Sequence, residues 1–189
     1  MPCREQFSDV TKIYLCRFYE ILDEMIIGMT NVRLTDSISH NFIRQMIPHH
    51  EAAIQMSQNL LQYTTLVPLQ NIAQQIIAEQ TRSINNMQQI LSRCGIQCSS
   101  QCDLHLYQER FQPITETMFR KMRTAKTTNS MNGNFMRELI PHHRGAIQMS
   151  ENALSFPICP ELIPILEAII RSQTQGVQDM ERLLRCLGQ

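Results

Sequence analysis

Two pairs of adjacent histidines, His49-His50 and His142-His143, are the residues of this chain best suited to chemistry. Each pair follows Ile-Pro and precedes a methionine, Met56 or Met149, by the same interval. Neutral imidazole nitrogen with thioether sulfur is a soft donor set, suited to Cu(I) or Ag(I) rather than to Mg²⁺ or Ca²⁺. Further thioethers stand at matched places: Met25, Met29 and Met87 in the first half, Met118, Met122 and Met180 in the second. Met25/Met29 and Met118/Met122 are i, i+4 pairs, one helical turn apart on one face. The candidate metal ligands are these eight methionines with the four histidines. A plainer reading competes, because methionine also fills irregular core space and a buried imidazole also serves as a core hydrogen-bonding group. Gln80 and Gln173 fit both readings, as direct partners of the rings or as residues fixing each ring's tautomer behind a metal.

These residues are positioned by a duplication. Sliding the chain by 93 residues superimposes Asn41-Phe42-x-Arg44-x-x-Ile47-Pro48-His49-His50-x-x-Ala53-Ile54-Gln55-Met56-Ser57-x-Asn59 on Asn134-Phe135-x-Arg137-x-x-Ile140-Pro141-His142-His143-x-x-Ala146-Ile147-Gln148-Met149-Ser150-x-Asn152. Tyr14, Arg17, Phe18, Ile21, Met25 and Met29 match Tyr107, Arg110, Phe111, Ile114, Met118 and Met122 upstream. Ile76, Ile77, Gln80, Thr81, Met87 and Leu91 match Ile169, Ile170, Gln173, Thr174, Met180 and Leu184 downstream. A match this long in one register marks an internal repeat. The expected organisation is one duplicated domain over 1–189, with pseudo-repeats 1–96 and 97–189.

Each copy reads as three helices. Apolar residues at Leu15, Phe18, Leu22, Met25, Ile26 and Met29 predict a first helix around 5–30. Thr35-Asp36-Ser37 supplies N-cap chemistry for a second, whose seam is Phe42, Met46, His49, Ala53, Met56 and Leu60. The third follows Pro68, carries Ile77, Gln80, Ile84, Met87 and Leu91, and stops at Cys94-Gly95. In copy two the breaks fall near 127–134 and 156–160. The fold class expected is all-α, an antiparallel helical bundle of two three-helix pseudo-repeats. Pro48 and Pro141 fall inside the second helices and remove the bonds to the Arg44 and Arg137 carbonyls, at ~3 kcal/mol each; a kink in a continuous helix is expected there. Successive helical residues point about 100° apart. His49 and His142 therefore lie on the central seams, and His50 and His143 on flanking rows. Arg44 and Arg137 read as solvated or, less simply, as bridging to acidic residues across the bundle.

Several function classes are disfavoured. Lys+Arg and Asp+Glu are 17 each, so no net field recruits nucleic acid or an anionic membrane. No apolar run approaches the ~20 residues of a membrane span. A di-iron carboxylate bundle needs inward Glu and a Glu-x-x-His spacing, and no Glu precedes a His by three. His-Glu-x-x-His, a glycine-rich phosphate loop and Gly-x-Ser-x-Gly are also missing, so no catalytic residues are expected. The N-terminal Met1-Pro2-Cys3-Arg4-Glu5-Gln6 lacks a signal-peptide pattern, and seven cysteines is an odd count suited to a reducing compartment; a cytoplasmic location is expected. Cys94, Cys98 and Cys102 are spaced as one helical face, which allows a thiolate site with His105 or, more simply, buried or free thiols. Cys159, in Pro157-Ile158-Cys159-Pro160, is assigned no role.

The string Phe42-Ile43-x-x-Met46-Ile47-Pro48-His49-His50-x-x-Ala53-Ile54-x-Met56, followed by Gln80 and Met87, resembles the family called domain of unknown function 305 (DUF305), and the likeness covers nearly the whole chain through both copies. The resemblance implies a ferritin-like bundle with a functionally important His-His motif, carried by His49, His50, Met56, Gln80 and Met87 and by His142, His143, Met149, Gln173 and Met180. Some relatives are associated with copper handling, which implies a similar role here. The chain departs from the family in two ways: many members look secreted, and an acidic residue is common where this chain has Ser83 and Gly176. The leading expectation is a soft-metal binding or sequestering protein, copper as Cu(I) first, that is not an enzyme. A structural or interaction protein with core hydrogen-bonded histidines is the alternative, and a ferritin-like redox enzyme the third. The partner expected is a metal ion; the halves could close on each other or on a second copy, as a homo-oligomer.

Overall fold

The structure, a computed structural model, describes residues 7–188. Among these the chain forms six α-helices and no strand: α1 Asp9–Thr30, α2 Ile38–Leu61, α3 Val67–Cys94, α4 Gln101–Arg123, α5 Met131–Leu154 and α6 Ile163–Cys186. Serine hydroxyls start four of them. Ser8, Ser37, Ser100 and Ser130 accept from the backbone N–H groups of Thr11, His40, Asp103 and Gly133, satisfying donors that a helix start otherwise leaves free. Pro68 and Pro164 sit in the first turns of α3 and α6, where no intrahelical N–H bond is lost.

In the first half α2 packs between α1 and α3; in the second, α5 packs between α4 and α6. The halves join mainly through α2 against α5 and α3 against α6, with a lighter contact of α1 on α4. The inner helices α2 and α5 thus have apolar neighbours on several sides, and all six residues of the expected α2 seam are buried. Both run unbroken through Pro48 and Pro141. Matched hydrogen bonds recur at the repeat spacing. Asn59 donates to the Tyr14 carbonyl and Asn152 to the Tyr107 carbonyl, each at 3.1 Å. The loops before α2 and α5 are closed alike, by Asn41 on Thr35 and Asn134 on Thr128.

Some expectations need correction. Helix α1 begins at Asp9 rather than residue 5, because Ser8 caps it; residues 5 and 6 lie outside those described. The buried face of α3 is Leu69, Ala73, Ile76, Gln80, Ile84, Met87, Ile90 and Cys94, so Ile76 and Ile90 replace Ile77 and Leu91. Helix α5 starts at Met131 and α6 at Ile163. Arg137 is not a solvated residue: its guanidinium donates to the Lys126 carbonyl, Thr128 Oγ1 and Asn134 Oδ1, tying down the α4–α5 loop.

Of the cysteine expectations the shared helical face fails, while the plainer free-thiol reading holds for Cys98 and Cys102. Cys94, Cys98 and Cys102 do not share a helical face, because α3 stops at Cys94 and α4 starts only after Ser100. Cys94 is instead joined to Cys159, the cysteine given no role, in a disulfide across the two halves. Cys98 and Cys102 are exposed free thiols, as are Cys16 and Cys186, while Cys3 lies outside the described residues. A cystine also removes the argument from an odd count to a reducing compartment. No helix among the described residues is long and apolar enough to cross a membrane.

Candidate metal centre

The four histidines form one buried cluster where α2 crosses α5. His49 and His142, at the midpoints of the two helices, stack with ring centroids 3.6 Å apart. His50 lies 5.8 Å from His49 and His143 lies 5.7 Å from His142, both tilted. All four side chains are at most 2% exposed. The four imidazoles therefore form one continuous cluster in the core, with the His49–His142 stack joining the two pairs.

Few of their nitrogens are satisfied. His142 Nε2–H donates to the His49 carbonyl at 3.1 Å. A carbonyl only accepts, so this bond fixes the tautomer and leaves His142 Nδ1 with a bare lone pair. That Nδ1 has no partner. His50 Nε2 lies 3.0 Å from Ser83 Oγ, while its Nδ1 has none. Both nitrogens of His49 and Nδ1 of His143 are also buried without a hydrogen bond. Leaving such a group unpaired costs ~1–3 kcal/mol. The core hydrogen-bonding reading accounts for two contacts and leaves five nitrogens unexplained.

Burial also sets the charge state. Loss of solvation pushes His50 down to about 3 and His142 down to about 4. His49 and His143 fall well below the ordinary histidine range through burial first and then through neighbouring rings. The cluster is neutral at pH 7, and its lone pairs are free to coordinate.

The eight candidate methionines Met25, Met29, Met56, Met87, Met118, Met122, Met149 and Met180 are all buried in the same core. Met118 Sδ packs directly on Gly145, where a Cβ would collide with it. The histidine nitrogens do not converge three to a point: among the described residues the one compact trio of His, Cys, Asp or Glu donors is Cys94, Cys159 and Glu161, with its sulfurs bonded to each other. An ion held by this cluster would have few imidazole ligands, and the other soft donors buried in the core are thioethers. That suits a soft monovalent cation and not a hard divalent one.

Gln80 and Gln173, expected beside the rings, line the clefts between α3 and α6 that reach His50 and His143. Their buried Oε1 atoms accept no hydrogen bond, and the partner of His50 is Ser83 instead. Sequence reasoning missed one buried acid, Glu138. It stands where the first copy has Gln45, and it accepts the Tyr14 O–H at 3.4 Å. Its signal was available, a Glu between the apolar Met136 and Leu139 on the repeated helix.

A family model described as domain of unknown function (DUF305) matches residues 25–91 and 39–184. The chain belongs to the DUF305 family. Two solved structures are similar to this DUF305 chain. One is CopM in a silver-bound form obtained by soaking, 26% identical, with TM-score 0.58 over 82% of this chain and 97% of CopM. The other is a DUF305 fragment from Deinococcus radiodurans, 21% identical, with TM-score 0.58 over 78% of this chain and 95% of the fragment; it supports the helical fold. No curated protein matches the chain.

Proposed function

We propose that this DUF305 protein binds and sequesters a soft monovalent metal ion, copper as Cu(I) first, without catalysing a reaction on it. The observation that carries the reading is the cluster of four buried, neutral imidazoles whose nitrogens mostly lack partners. His49 and His142 are the central ligands, through the nitrogens that hydrogen bonding leaves bare. His50 and His143 extend the site, and Met25, Met29, Met56, Met87, Met118, Met122, Met149 and Met180 supply the thioethers. Gln80 and Gln173 orient rings or ion from the clefts. The similarity to CopM, a protein described with silver bound, supports a soft ion. The residues argue against a carboxylate-bridged redox centre, since Glu138 is the one buried carboxylate among those described.

The test is metal analysis of protein purified from copper-supplemented cells, with Cu(I) affinity measured by competition against a chromophoric chelator. Copper should copurify, and His49→Ala with His142→Ala should weaken Cu(I) binding at least a hundredfold. Protein free of copper, with an affinity unchanged by both substitutions, would leave the histidines as structural groups. The two ring contacts, to the His49 carbonyl and to Ser83, are what favour that second reading.

A further inference from the structure

The two clefts between α3 and α6 are twins under the repeat. One is lined by His143, Glu79, Gln80, Gln173, Gly176 and Asp179 among others. Shifting each lining residue of this cleft by the repeat spacing gives a residue lining the other, where His50, Ser172, Gln173, Gln80, Ser83 and Asn86 take those places. The copies have diverged at the positions that touch the ring and set the charge.

At the ring, Ser83 occupies His50 Nε2 with a 3.0 Å contact. Its counterpart is Gly176, where even a Cβ would approach His143 Cδ2 and Nε2 to 2.9 and 3.1 Å. Glycine therefore leaves His143 Nε2 facing the cleft, in a space of about 10 Å³. That is close to the room one water molecule needs. Around it the Oε1 atoms of Gln80 and Gln173, both side chains at most 3% exposed, have no hydrogen-bond partner.

The charges differ as well. Glu79 and Asp179 line the His143 cleft, each accepting only a neutral amide, from Gln75 and Gln175 at 2.9 Å, and no cationic side chain lines it. The His50 cleft is wider, about 330 Å³, but there Arg82 offsets Glu79, and Asn86 stands in place of Asp179. Two unopposed carboxylates at the mouth of a cleft raise the local cation concentration, and a balanced pair does not.

We infer that the His143 chamber is the port through which a soft cation reaches the buried cluster, taken up by Glu79 and Asp179 and passed to His143 Nε2, and that its His50 twin is closed to this traffic. This rests on the metal-binding reading above. The port holds one ion at a time, at a ring nitrogen that glycine keeps bare, beside two unpartnered amide oxygens.

The experiment uses Ag(I) as a redox-inert probe on the whole chain, with stopped-flow association rates and ¹⁵N imidazole NMR. In wild type the His143 Nε2 resonance should shift at the first substoichiometric addition, and the rate should fall as salt is raised. Gly176→Ser, which installs the residue of the other copy, should slow association at least tenfold. Asp179→Ala on the surface should slow it three- to tenfold and flatten its salt dependence, while Asn86→Ala, the same position in the other repeat, should leave it within twofold. Silver binding that Gly176→Ser and Asp179→Ala do not slow, or that Asn86→Ala slows as much, overturns the port and leaves the metal site standing. No silver binding by wild type overturns both.

Discussion

Glu138 lies beside Tyr14 in a core otherwise free of carboxylates among the described residues. Its counterpart Gln45 donates its amide to the Met29 carbonyl at 3.4 Å, a bond an ionised carboxylate has no proton to make. Burial raises the Glu138 carboxyl well above its usual 4.5, and the Tyr14 hydrogen bond and the Arg137 charge pull it back only in part. The folded state thus prefers the protonated acid. A group raised on folding makes stability fall as pH rises from its unfolded value through its folded one. Glu138→Gln should remove that fall, matching wild type below pH 4.5 and exceeding it at neutral pH by ~1–3 kcal/mol, the cost of an unmatched buried group. Melting temperature against pH, at ~2–4 °C per kcal/mol for a chain of this size, reads it. Parallel curves for the two proteins would mean that Glu138 is already matched when ionised.

At the scale of elements, most of the bundle was legible because α2 and α5 carry an uninterrupted seam, and a buried inner helix has to read that way. The face of α3 was less so. Ile76 and Ile77 are both apolar, as are Ile90 and Leu91, and periodicity alone does not choose between neighbours when a helix packs against two others. The cysteine spacing misleads because it runs through the break at Gly95–Ser100, where Ser100 is the cap that starts a new helix. Cys159 could not be paired from sequence, since its partner is 65 residues away across the repeat boundary. The stacked rings were half legible: the seam put His49 and His142 inside, but that the two meet depends on how α2 crosses α5. Closing a loop of this length contributes about 4 kcal/mol in the chain-entropy account. Cys94→Ser should therefore lower the melting temperature by roughly 10 °C under non-reducing conditions, and a thiol reductant should lower wild type alike while leaving the variant unmoved. A wild-type melting temperature indifferent to reductant would show that Cys94 and Cys159 stay thiols in solution.

Over the whole molecule, the metal reading makes the halves interdependent. Their shared surface centres on α2 against α5, and the His49–His142 stack lies at its middle, with His142 bonded to the His49 carbonyl. An ion bound there touches both copies, so it clamps the bundle across the repeat boundary instead of stabilising each half alone. Ag(I) at about a hundred times its Kd should add ~2.7 kcal/mol to the folded state. If the rings act as one centre, His49→Ala and His142→Ala should each abolish most of that gain, and the double variant should lose little more. Two independent centres, one per copy, would behave differently: each single variant would keep about half the bound silver, and the losses would add, as they do for uncoupled sites. Thermal melts of the four proteins with and without Ag(I), together with the silver bound per chain, separate these outcomes. The 3.6 Å stacking of the central rings favours the non-additive one, because removing either ring uncovers the other.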